Sequence, residues 1–201
     1  MASSNSCNQL LTANQIASCN GLKKVGGIDG TVYIGFRSDI ATLTLGTDGE
    51  ITTLTLASGK KLSKFGGNKE QHAVTWESVP MKGKAMFKHA ANFFLYPYSQ
   101  TDVKQLEFLI SSERMFAIYV NLAGQVKAIG IDIDPIFATD FVSERGLKVT
   151  TAKYQEGVTY AADTWCEVPM EGVFWNAPKL YKPSASLAAN ITELDGFSFT
   201  V

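Results

Sequence analysis

From Ala41 to Leu56 the chain alternates threonine with leucine on both sides of a short break. Thr42, Thr44, Thr53 and Thr55 interleave with Leu43, Leu45, Leu54 and Leu56, and Gly46-Thr47-Asp48-Gly49 separates the two runs. A period of two sends the leucines to one face and the threonines to the other. Asp48-Gly49 supplies the positive backbone torsions that a hairpin turn requires. The pattern predicts an antiparallel hairpin with one packed face and one polar face.

The same reading extends along the chain. Thr31 to Phe36 is a strand after the turn cluster Gly26-Gly27-Ile28-Asp29-Gly30, and Lys61 to Phe65 is another after Ser58-Gly59. Gln71–Val79 and Lys84–Tyr96 form two longer strands around Pro80-Met81-Lys82-Gly83. In the second, Ala85, Phe87, His89, Ala91, Phe93 and Leu95 share one face. Thr101 to Ser112 is the one strong helix, with Thr101 as N-cap, Asp102 in the first turn, and Val103, Leu106 and Ile110 at helical spacing. Arg114–Leu122 and Gln125–Asp132 make a further hairpin around Ala123-Gly124. Gly146–Tyr154 is a strand, and Thr164–Trp175 a late strand interrupted near Pro169. The expected organisation is an arm over 1–21, a β-sandwich over 22–178 and a tail over 179–201. The tail ends in the strand-like Gly196-Phe197-Ser198-Phe199-Thr200-Val201, which would join a sheet edge on its own or another subunit.

Composition narrows the class. Of the 201 residues, 18% are charged, below the usual quarter of a soluble domain, which suits a chain that hides flank area against copies of itself. The net charge of −1 gives no basic footprint for nucleic acid. No segment approaches ~18 consecutive apolar residues, so no membrane partner is expected. Met-Ala-Ser-Ser-Asn-Ser has neither the basic start nor the apolar stretch of a secretory signal. Cys7, Cys19 and Cys166 lack zinc-ligand spacing and read as reduced cytosolic thiols, with a Cys7–Cys19 bridge left open.

Candidate chemistry is sparse, and no enzyme, cofactor or metal is expected. His72 and His89 read as packed or hydrogen-bonded histidines rather than acid–base catalysts. Asp132 and Asp134 have a spacing that can hold a divalent ion, but without further oxygen ligands they read as solvent-facing carboxylates at a strand end. Gly26-Gly27 with Gly30 precedes a strand and lacks the ending of a phosphate loop. Trp76, Trp165 and Trp175 with Tyr96 and Tyr98 could line a sugar platform, although core and interface packing is the commoner fate of such residues. Lys60, Lys61 and Lys64 read as charges that keep a sheet edge from pairing, or else as a binding patch.

An ordered set of segments resembles the tail tube proteins of phages and prophages of Bacteroidetes-type hosts. It runs through Cys19-Asn20-Gly21-Leu22, Val25-Gly26-Gly27-Ile28-Asp29, Val32-Tyr33-Ile34 and Asp39-Ile40. Leu56-Ala57-Ser58-Gly59-Lys60-Lys61 and Lys64-Phe65 follow, then Asp102-Val103-Lys104-Gln105-Leu106-Glu107. Met115-Phe116-Ala117-Ile118-Tyr119-Val120, Gly124 and Ala128-Ile129-Gly130-Ile131 complete it, and the likeness covers roughly residues 19 to 155. The resemblance implies a mainly β protein, an antiparallel sandwich or barrel flanked by one helix. It also implies hexameric rings that stack into a hollow tube, with other virion tail proteins and the passing genomic DNA as partners. Made in the host cytoplasm, such a protein resides in the virion tail. Thr42, Thr44, Thr53 and Thr55 would then face a wet channel, and Asp48 and Glu50 would take ring-to-ring or lumenal positions. Lys60, Lys61 and Lys64 would face a neighbouring subunit or the outer surface, and Phe197 and Phe199 an interface. A connector, ring or tail terminator protein is the alternative within a virion, and a carbohydrate-binding β-sandwich module the alternative outside it.

Overall fold

Met115-Phe116-Ala117-Ile118-Tyr119-Val120 is apolar at every position, and a strand of that kind is stable only when covered on both faces. A computed structural model of the chain, which describes residues 27–66, 72–81, 84–96, 100–133, 145–155 and 165–198, places that strand inside a mainly antiparallel β-sandwich. Its strands are β1 (Ile28–Phe36), β2 (Ile40–Leu45), β3 (Ile51–Leu56), β4 (Ser63–Gly66), β5 (Ala73–Met81) and β6 (Lys84–Leu95). Helix α1 (Gln100–Ile110) precedes β7 (Met115–Asn121), β8 (Val126–Ile129), β9 (Lys148–Val149), β10 (Lys153–Gln155), β11 (Trp165–Phe174), β12 (Lys179–Leu180) and helix α2 (Leu187–Phe197). The arm expected over 1–21 lies outside the described residues.

The central sheet has the order β12-β8-β7-β1-β4. Val32, Ile34, Met115, Ala117 and Tyr119 project from one of its faces onto Ala91, Phe93, Leu95, Cys166, Val168 and Met170 of the second sheet, ordered β10-β11-β6-β5. Leu106 and Leu109 of α1 close this first core. Tyr33, Phe116, Ile118, Val120 and Ala128 project from the opposite face. They meet Ile51 and Leu54 of the β2–β3 hairpin, Leu62, Tyr181, and Leu194 of α2. The molecule therefore has three layers, and among the described residues no sheet closes into a barrel.

Four expectations are corrected. Gly196 and Phe197 end a helix rather than begin a strand, and Phe199 lies outside the described residues. The segment over Gly146–Tyr154 is broken into β9 and β10, which pair with different parts of β11. Conversely, β11 runs uninterrupted through Pro169. The Pro169 carbonyl accepts from Thr150 N at 3.0 Å, so its nitrogen points to the same side, into the gap between β9 and β10. A residue's N and O project to one side of an antiparallel strand, so the missing donor removes no bond to β6. Helix α1 starts at Gln100, which puts Thr101 inside its first turn rather than at the cap.

Candidate functional site

The β2–β3 hairpin carries the alternating threonines and leucines. Gly49 N donates to Gly46 O at 3.0 Å, Gly46 N donates to Glu50 O at 2.8 Å, and Gly49 has φ 77°. This is a tight turn followed by one left-handed residue. Only Gly49 takes the positive torsion; Asp48 does not. The Glu50 carboxylate folds back to accept from Asp48 N at 3.0 Å, which leaves the exposed Asp48 side chain as the acidic group at the tip.

Register sets Thr42 opposite Thr55 and Thr44 opposite Thr53, with all four exposed. Leu54 is fully buried, and Leu43, Leu45 and Leu56 pack against the second core. Slips in register fall between Ile40 and Thr42 and between Thr44 and Leu45. Thr52 sits at the second slip and donates its hydroxyl to Thr44 O at 3.2 Å. On one side β3 is tied to the C-terminal segment, through a parallel bridge from Ile51 to Tyr181 and a bond from Lys182 N to Ile51 O at 2.8 Å. On the other, no described strand pairs with the outer edge of β2. The result is a neutral hydroxyl face on a ribbon with one open edge.

The lysines expected to guard an edge are held within the chain. Lys60 pairs with Asp39 at 3.2 Å, and Lys64 of edge strand β4 reaches Asp195 of α2 at 2.7 Å. Lys61 is exposed. Asp195 also accepts from the Tyr33 hydroxyl at 2.7 Å. The Lys64 hydrogen bond holds the Asp195 carboxyl below its ordinary range, while burial and then Asp195 push the Tyr33 hydroxyl up. Phe197, expected at an interface, packs half-buried on the second core.

Two of the titratable residues singled out in the sequence, His89 and Asp132, meet in a buried node around Trp175-Asn176. His89 is 1% exposed; its Nε2 lies 2.7 Å from Asn176 O, and Gly130 N donates to its Nδ1 at 3.4 Å. The ring is thus neutral with the proton on Nε2, and burial lowers its pKa to about 4. Asp132 is fully buried rather than solvent-facing and accepts from Trp175 N at 2.6 Å. Arg145 lies 3.7 Å from Asp132 and stacks on Trp175 at 5.3 Å. Arg37, also buried, donates through Nε to Arg145 O at 3.1 Å, and desolvation lowers its pKa to about 10 against the pull of Asp132. These contacts fasten the loops leaving β8 and β11 to the end of β1. Asp134 is outside the described residues, and among those described no three metal-ligating side chains cluster. His72 is buried separately, accepting from Phe94 N at 3.1 Å.

Trp76 and Trp165 lie on opposite faces of the second sheet and Trp175 under Arg145, so they form no common platform. Cys166 is a buried free thiol; Cys7 and Cys19 lie outside the described residues. No helix among the described residues is long and apolar enough to cross a membrane.

Sequence reasoning missed Arg37, Arg145, Asp195 and Asn176. The burial of Asp132 carried a signal, because it sits within the apolar run Ile129-Gly130-Ile131-Asp132-Ile133. No protein-family model, curated protein or solved structure matches this chain.

Proposed function

We propose that this chain is a virion structural protein, the subunit of a phage tail tube, which assembles with copies of itself into stacked rings around a channel for DNA. The observation that carries the reading is the β2–β3 ribbon, anchored through Leu54 and Ile51, polar through four paired threonines, and unpaired along β2 among the described residues. An open strand edge is a template for another chain, and ring closure removes it. A face of threonine hydroxyls carries no cation to hold a phosphate, so DNA would slide rather than bind. The resemblance in segment order and the low charged fraction support the same reading. A connector or terminator ring would use the same edge. One observation favours the sugar-binding alternative: Trp76 is 54% exposed.

The test is size-exclusion chromatography with negative-stain microscopy over a rising series of concentrations. Rings or tubes are the expected result. A protein that stays monomeric throughout, or a monomer whose binding to a glycan array depends on Trp76, overturns the proposal.

A further inference from the structure

On the side of the molecule away from the threonine ribbon, an open groove of about 490 Å³ lies between the segment entering β7 and strands β9 and β11. Its cations are Arg114, Arg145 and Lys148; its anions are Glu113 and Glu171, and Glu171 is already paired with Lys88 at 2.9 Å. Arg145 is held in place from behind by Asp132 and Trp175. Arg114 has φ 62°, the one positive value outside glycine among the described residues, in a conformation that glycine or asparagine would adopt more cheaply. Lys148 is exposed and has no carboxylate partner among the described residues. Gly146 and Gly172 line the groove with bare backbone. A Cβ at Gly172 would fall 2.6 Å from the Phe174 ring and 2.8 Å from Gly146 O.

Such a groove fits something small, turned and acidic. The β2–β3 tip has that form. Thr47 and Asp48 are exposed, the turn is flanked by Gly46 and Gly49, and Asp48 has no cation partner among the described residues. Lys179, half-buried beside Gly49, has its proton affinity lowered by burial. The ribbon belongs to the layer on one face of the central sheet, whereas β11 belongs to the layer on the other. A chain's own tip therefore does not reach its own groove.

We infer that the Thr47-Asp48-Gly49 tip of one copy seats in the Arg114–Arg145–Lys148 groove of the next. The contact joins two different surfaces, so it propagates from copy to copy instead of closing a dimer. The inference rests on the self-assembly reading above and names the surfaces that would carry it.

Charge reversal tests it. Asp48→Lys and Lys148→Glu should each raise the concentration needed for assembly about tenfold or more at ~0.15 M salt. The double variant Asp48→Lys/Lys148→Glu should recover assembly to within about threefold of the parent. Circular dichroism on each variant confirms that it is folded, and Arg114→Glu serves as a second reversal should Lys148→Glu fail to fold. If the parent assembles and the folded single variants assemble equally well, or the double variant stays impaired, the docking is wrong and the tube reading survives. A role in binding small anions instead would appear as inorganic phosphate binding lost in Lys148→Glu, with Asp48→Lys assembling normally; that too overturns the docking. A parent that never assembles overturns both.

Discussion

His89 shows how one buried side chain makes this fold sensitive to acid. Its pKa falls from 6.5 in an exposed ring to about 4 in the folded chain. Between those values the unfolded chain takes up a proton that the folded chain refuses, so stability drops as pH falls through that window and levels off below it. The size is about 3 kcal/mol for a shift of this order. His72 is depressed in the same direction, and Asp195, whose carboxyl is also depressed, adds its own loss at lower pH. Urea midpoints measured from pH 7 to pH 4 should therefore fall more in the parent than in His89→Gln, and equal slopes would refute the assignment. Gly130 is a second residue with a steep dependence. With φ 78° and space for a Cβ only 2.7 Å from Met115 O, Gly130→Ala should cost at least about 2 kcal/mol in the same measurement.

At the scale of an element, the ribbon offers a contrast between adjacent positions. Leu54 is 0% exposed beneath β3, and Leu54→Ala should cost about 2–5 kcal/mol. Thr53, one residue earlier on the open face, should tolerate Thr53→Ala within about 0.5 kcal/mol. Denaturant unfolding of both variants checks the pair, and similar losses would mean that the threonine face is covered within the monomer. Helix α2 is held by Leu194 and by the Tyr33–Asp195–Lys64 contacts. Asn190 adds a clasp, accepting from Ser184 N at 2.8 Å and donating to Ser184 O at 3.1 Å. Asp195→Ala leaves the Tyr33 hydroxyl without its acceptor, a loss of about 1–3 kcal/mol. Amide exchange in α2 should quicken accordingly, while exchange in β7 stays slow.

For the whole molecule, the proposed assembly makes the open edge of β2 the feature that matters. Lysine on an edge resists pairing. Thr42→Lys/Thr44→Lys should therefore abolish rings while leaving the melting temperature of the monomer within a few degrees of the parent. Rings that persist would move the interface elsewhere. A tube of this kind also needs a second contact between copies, and the groove on the far side of the molecule offers one. Thr42, Thr44, Asp48 and Lys148 are all exposed, so edge, tip and groove can be changed at positions outside both cores.

How much of this was legible in the sequence follows from what each signal measures. Period-two alternation reports which side of a strand is covered, and it placed the Thr42–Thr55 and Thr44–Thr53 face correctly because, among the described residues, the ribbon is covered on one side only. The helix at 100–110 was legible for the same kind of reason, and the unbroken apolar run from Met115 to Val120 marked the central strand. Helix α2 is also written in the chain, in Leu187, Ile191 and Leu194 at helical spacing, but the β-prone Phe197-Ser198-Phe199 ending masks it. Tertiary structure alone decided the rest. Whether Asp132 met water or the main chain of Trp175 depended on two loops far apart in sequence. The groove likewise exists only where Arg114, Lys148 and Glu171 are brought side by side. Alternation along a strand is local and survives in one dimension; the pairing of distant charges is set by strand order, which no local pattern encodes.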